Sequence, residues 1–119
     1  MFIMCLNECQ EFIGGDNSTL RELVNPLKKG LDIRYSLAHA IVKPGHKSRM
    51  HRLRSAEVYY ILQGDGVTNI DNEVSKVGSN QAIYIPPNSV QCIENKGEDD
   101  LVFICIVDPA WRSEDEKIL

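Results

Sequence analysis

Two side chains capable of chemistry stand close together in the middle of the chain. They are His51 and Glu57, inside the stretch Gly45 to Gly64, GHKSRMHRLRSAEVYYILQG. An imidazole changes charge near neutral pH, and a carboxylate beside it can share its proton. The same two groups can also serve as ligands for a metal ion. Two further histidines, His39 and His46, complete the inventory, and each is a candidate to join the pair. No serine or cysteine sits in a nucleophile elbow or beside a paired base, so the sequence offers no nucleophilic catalyst.

Glu57 opens the strongest β-forming run in the chain, EVYYILQ, rich in aromatic and branched residues. Alternation along that run puts Glu57, Tyr59 and Ile61 on one face and Val58, Tyr60 and Leu62 on the other. If Glu57 points inward, Tyr59 and Ile61 share its cavity. Residues 33 to 42 alternate in the same way, with Ile33, Tyr35, Leu37, His39 and Ile41 on one face. His39 is then either a ring packed among apolar neighbours or a group facing a cavity. Gly64-Asp65-Gly66 is a tight turn. Asp71-Asn72 reads as a two-residue hairpin between strands at 67–70 and 73–77. Pro86-Pro87 stops a strand over 81–85, because proline gives the sheet no donor. A strand follows at 90–94, and LVFICIV at 101–107 reads as an apolar strand covered on both faces.

The ends are less regular. Residues 1–6 read as a short strand and 8–13 as a turn of helix. Gly14-Gly15-Asp16-Asn17 is a turn, 20–24 a strand or helical turn, and 28–30 a loop. The expected division is an arm over 1–30, a barrel over 31–109 and a tail over 110–119, with Trp111 packed back on the barrel. Strand after strand, with turn signals roughly every eight to twelve residues and almost no helix signal, predicts an all-β sandwich or closed barrel.

The spacing Gly45-x5-His51-x-Leu53-x3-Glu57-x6-Gly64 resembles the first motif of the cupin family, G-x5-H-x-H-x3-E-x6-G. Leu53 stands where that motif has its second histidine. Residues 78–95 resemble the second motif, G-x5-P-x-G-x2-H-x3-N. Pro86 and Asn95 fit it, Asn88 replaces the glycine, and Gln91 replaces the third histidine. Gly78 lies further from Pro86 than the motif's gap. The SLAHAIVKPG lead-in and the LVFICIVDPAW ending also look like a group of small cupins in archaea and bacteria without an assigned reaction. The resemblance covers roughly residues 33 to 109. It implies the double-stranded β-helix, a jelly-roll barrel, with a short N-terminal arm that adds a strand or crosses to a second subunit.

In metal-binding cupins three histidines and a glutamate hold a divalent ion inside the barrel. Carried over residue by residue, the resemblance implies His51 and Glu57 as ligands and Gln91 as a weak, neutral one, while Leu53 ligates nothing. Zinc, iron, manganese or nickel would suit such donors, and His39 or His46 would have to make up the missing imidazole. The implied pocket is His51, Leu53, Glu57, Tyr59, Ile61 and Gln91. The reading that follows is a barrel binding a small polar molecule, with a weakly held divalent metal. One alternative is a metal-dependent enzyme of dioxygenase or sugar-phosphate isomerase type. Another is a non-catalytic binding or structural module. The family resemblance also implies a homodimer.

Composition sets the outer bounds. A chain of 119 residues with 43% hydrophobic content is one domain with a normal core. The net charge of −4 argues against nucleic acid as a partner. The basic residues Lys43, Lys47, Arg49, Arg52 and Arg54 surround the motif, either as a solvated loop or as an anion site at the barrel mouth. No apolar run is long enough for a membrane helix, and the start has no basic leader, so a cytoplasmic location is expected. Cys5, Cys9, Cys92 and Cys105 lack zinc-ribbon spacing and read as buried free thiols, with Cys5 and Cys9 a conceivable oxidisable pair.

Overall fold

Alternating burial along the strands builds two antiparallel sheets that face each other. A computed structural model describes all residues, 1–119. One sheet contains β1 (Glu11–Ile13), β2 (Thr19–Val24), β3 (Ser36–Val42), β5 (Ala56–Gln63), β8 (Ala82–Ile85) and β10 (Leu101–Asp108). Their order is β1-β2-β3-β10-β5-β8. The other contains β4 (His51–Leu53), β6 (Asp65–Ile70), β7 (Glu73–Gly78), β9 (Val90–Glu94) and β11 (Glu116–Ile118), in the order β11-β4-β9-β6-β7. This is the all-β jelly-roll barrel that the sequence predicts.

Two turns show why particular residues stand where they do. Gly64 has φ 90°, and a Cβ there would lie 2.6 Å from the Asp100 carbonyl oxygen. Only glycine tolerates both the angle and the contact. Asn88 occupies the position where the second motif has glycine, and it adopts φ 65°. Asparagine visits the left-handed region more readily than other side chains, so the turn survives the replacement. Asn95, the last residue of that motif, is fully buried. Its Nδ2 donates to the carbonyls of Val42 and Asp99, and its Oδ1 accepts from the Gly97 amide. It therefore ties β9 to the ends of β3 and the loop before β10.

The core lies between the sheets, with Ala40, Tyr59, Ile61, Ile93, Leu101 and Phe103 at its centre. Ile61 and Phe103 are fully enclosed, and burial of such side chains contributes about 1.5–3 kcal/mol each. The Tyr59 and Phe103 rings meet at 4.6 Å between centroids.

Several expectations change. Residues 8–13 hold no helical turn of the expected kind; a short 3-10 turn at Leu6–Glu8 is followed by strand β1. Lys28 and Lys29, expected in a loop, end the helical turn α1, Pro26–Lys29, which is capped by the Asn25 side chain and closed by Gly30 at φ 66°. Residues 110–119 include β11, which pairs with β4, and β2 pairs with β3, so both flanks supply strands. The 101–107 strand is covered on one face only. Leu101, Phe103, Cys105 and Val107 are buried, whereas Ile106 is exposed and Val102 and Ile104 are half-buried. An antiparallel sheet packs one face on the core and leaves the other open. Of the cysteines, Cys105 alone is buried; Cys5 is exposed, and Cys9 and Cys92 are half-buried.

Candidate functional site

His51 lies at the start of β4, on its inward face. Its Nδ1 sits 2.7 Å from the Arg49 carbonyl oxygen. A carbonyl only accepts, so Nδ1 carries the proton and Nε2 is directed into the barrel. The ring is almost completely buried, and Nε2 lies 3.7 Å from Asp16 Oδ2. That spacing is an ion-pair distance when the ring is protonated, and too long for a hydrogen bond.

Glu57 enters from the opposite sheet, on β5. Its Oε1 accepts a hydrogen bond of 2.7 Å from Gln91 Nε2, on β9. Gln91 Oε1 in turn accepts from the Tyr59 hydroxyl at 3.0 Å. The chain Tyr59–Gln91–Glu57 thus spans both sheets, and all three side chains are buried. Burial pushes the Glu57 carboxyl up to about 7, against the opposing effects of the Gln91 hydrogen bond and the nearby His51; Asp16 and Glu116 push it up further. Burial also raises the Tyr59 hydroxyl and the Cys105 thiol well above their ordinary values, which leaves both protonated.

His51, Glu57 and Tyr59 border a cavity of about 260 Å³. Sequence reasoning found four of its wall residues and one support, and missed others. Asp16 arrives on the turn between β1 and β2, where its carbonyl accepts from the Arg49 amide and its Oδ1 accepts from Ser18. Glu116 arrives on β11, and its carboxyl is raised by burial and by Asp16. Cys105 and Trp111 also line the space. No spacing rule links residue 16 or 116 to residue 51, so nothing in the sequence marks them.

The predicted residues distribute unevenly. His51, Leu53, Glu57 and Tyr59 line the cavity. Gln91 supports Glu57 and Tyr59 without lining it, and Ile61 is sealed in the core. His39 does not join them: it stands on the opposite face of β3 from the cavity-lining Ala38 and Ala40, opposite Arg21 of β2. Burial and Arg21 lower its pKa. His46 is exposed in the turn after β3, with Nδ1 3.1 Å from the Pro44 carbonyl. The basic residues around the motif are exposed apart from the half-buried Arg52, and none lines the cavity.

Residues 38–107 match the cupin domain family. The chain is a cupin. Among its relatives, this cupin is 40% identical over 115 residues to the uncharacterized protein MJ1618 of Methanocaldococcus jannaschii, covering 95% of this chain and 90% of that protein. It is also 32% identical over 87 residues to the mannose-1-phosphate guanylyltransferase of Escherichia coli K12. That match covers 71% of this chain and only 18% of the enzyme. Among solved structures, a single-residue variant of Streptomyces PAC13 with uridine superposes with a TM-score of 0.79 at 19% identity, over 100% of this chain and 91% of that one. A predicted oxalate decarboxylase from Thermotoga maritima gives 0.79 at 18% identity, over 91% and 99%. At these identities the likeness is one of fold.

The metal-ligand set that the cupin motifs imply is not assembled in this cupin. Leu53 and Gln91 occupy two of the histidine positions. Gln91 Oε1, the one atom with which that side chain could ligate, is engaged by the Tyr59 hydroxyl, and its Nε2 faces Glu57. His39 and His46 point elsewhere. No three His, Cys, Asp or Glu side chains are grouped as a metal site requires. His51 and Glu57 remain as an imidazole and a carboxyl facing a shared space.

Proposed function

We propose that this cupin is a small-molecule binder that holds a small polar ligand in the barrel between His51 and Glu57. The observation that carries the reading is the cavity between the sheets with the buried Glu57 carboxyl on its wall. A carboxyl with a pKa near 7 is present both as donor and as acceptor at neutral pH, and the directed Nε2 of His51 supplies a second polar contact. About 260 Å³ is below the usual range of roughly 300–1,000 Å³ for drug-sized ligands, so the occupant is small. A phosphate ester fits poorly, because no lysine or arginine lines the space.

The test is a thermal-shift screen of small polar molecules, uridine included, against the wild type and His51→Ala. A ligand that stabilises the wild type and fails to stabilise the variant supports the reading. Stabilisation of both proteins alike places binding elsewhere. A complete absence of ligands favours a structural module.

A second reading is supported by the same carboxyl. A group titrating near pH 7, close to an imidazole, is poised for proton transfer on the bound molecule. Turnover that persists in a chelator and is lost in Glu57→Gln would establish it.

The reading extends to assembly. Val58, Tyr60, Leu62, Tyr84, Ile104 and Ile106 form neighbouring positions on the outer face of the six-stranded sheet, through the pairs Tyr60–Ile104, Val58–Ile106 and Val58–Tyr84. Tyr60, Leu62, Tyr84 and Ile106 are exposed. A second copy of the chain covering this apolar face would make the expected homodimer.

A further inference from the structure

The cavity has a one-sided charge. Asp16, Glu22, Glu57 and Glu116 line it, and no lysine or arginine does. Glu22 is already engaged, since its carboxylate accepts from Lys28 and Asn25. Glu116 is engaged in part, by a hydrogen bond from the Trp111 side chain, whereas Glu57 and Asp16 have capacity to spare. Glu57 is buried and accepts one hydrogen bond, on Oε1, leaving Oε2 without a partner. Asp16 binds Ser18 through Oδ1, and its Oδ2 has only the His51 ring at 3.7 Å. Burial and the neighbouring Asp16 disfavour charge on both Glu57 and Glu116, and a bound cation would offset that cost.

The rest of the wall is aromatic and apolar. Phe12, Tyr59, Phe103 and Trp111 face the same space. Rings attract a cation over their faces, and carboxylates attract it as counter-charge; together they recognise ammonium groups on apolar bodies. A hydrated inorganic ion gains little from such a wall, whereas an alkylammonium gains from both kinds of surface.

Resting on the small-molecule reading above, we infer that the natural occupant is a small organic cation. Its ammonium group meets the free oxygen of Glu57, with Asp16 and Glu116 on the same wall as further counter-charge, and its apolar part lies against the aromatic wall. Binding favours the ionised form of Glu57, so affinity rises with pH as that carboxyl loses its proton, and protons are released on binding near neutrality.

The test compares three probes of matched shape on the full chain by calorimetry: n-butylammonium, n-butanol and butyrate. The expected result is binding of butylammonium alone, tightening from pH 6 to pH 8, and weakened roughly thirtyfold in Asp16→Asn by loss of one buried charge contact. Glu57→Gln, which keeps the hydrogen bond from Gln91, serves as the second variant and should remove the pH dependence. Equal or tighter binding of butanol or butyrate overturns the cation inference while leaving a polar-molecule site standing. Binding of none of the three, with hits for other polar molecules in the thermal-shift screen, does the same. A thermal shift with manganese chloride that exceeds the butylammonium shift and disappears in Asp16→Asn would also overturn it, by showing that the acids hold a metal. An empty screen would remove both readings.

Discussion

Gln91 Nε2 meets Glu57 Oε1 at 2.7 Å, and that contact joins β9 of one sheet to β5 of the other. The glutamine uses both ends of its amide here: Nε2 donates to the carboxyl and Oε1 accepts from the Tyr59 hydroxyl. The buried carboxyl is thus supported by a neutral neighbour, and its charged form remains costly.

The stability of the fold should fall as pH rises. The ordinary value for Glu57 is 4.5, and in the folded chain it is about 7. Below 4.5 the group is protonated in both states and costs nothing. Between 4.5 and 7 the unfolded chain releases its proton and the folded chain keeps it, so the penalty grows, reaching its full size above 7. The penalty is on the order of 3 kcal/mol. Melting temperature against pH should decline across this window in the wild type, and Glu57→Gln should flatten the curve and be the more stable protein at pH 8. A wild-type curve as flat as the variant's would contradict a raised carboxyl.

Metal removal should leave the melting temperature of the wild type unchanged, because two of the positions that the motif gives to histidine hold Leu53 and Gln91. The double substitution Leu53→His and Gln91→His restores the donor set. It should retain divalent metal through purification without a tag, and its melting temperature should drop on chelation. Elemental analysis of both proteins reads the outcome. Stoichiometric metal in the wild type would show that other side chains have taken over.

Asn95→Ala should destabilise the barrel by about 2–4 kcal/mol. The substitution removes three hydrogen bonds, opens a void at a fully buried position and takes the Asn95 donor from the buried Val42 carbonyl, while the Gly97 and Asp99 groups lie in an exposed turn. Denaturant unfolding gives the number. A cost below about 0.5 kcal/mol would mean that water replaces the side chain.

Leu62→Lys combined with Tyr84→Lys should shift the protein towards monomer in sedimentation velocity. Both side chains are exposed on the open sheet face, and opposed lysines in a self-complementary contact repel. A wild type that sediments as a monomer at micromolar concentration would remove the homodimer.

Within the chain, local pattern was enough for the central strands and for half the site, but not for β1 or β11. The alternation of EVYYILQ put Glu57, Tyr59 and Ile61 on one face, and all three are buried. The turn chemistry at Gly64, Asp71-Asn72 and Pro86-Pro87 placed the boundaries, because each depends on a few adjacent residues. For His51 and Glu57 it was the resemblance to the first cupin motif that implied a shared pocket, and both line the cavity. The apolar run at 101–107 misled, because hydrophobicity alone does not distinguish a strand covered twice from one whose second face is open.

Tertiary structure alone decided the electrostatics. Asp16 and Glu116 lie 35 and 65 residues from His51, and only the pairing of β11 with β4 and the placing of the β1–β2 turn bring them to the same wall. Likewise, only the strand's facing sent His39 away from the cavity. Sequence spacing governs which groups share a strand face, since that period is local. The field that a buried carboxyl feels is the sum over whatever the fold brings within a few ångströms, and those neighbours come from opposite ends of the chain.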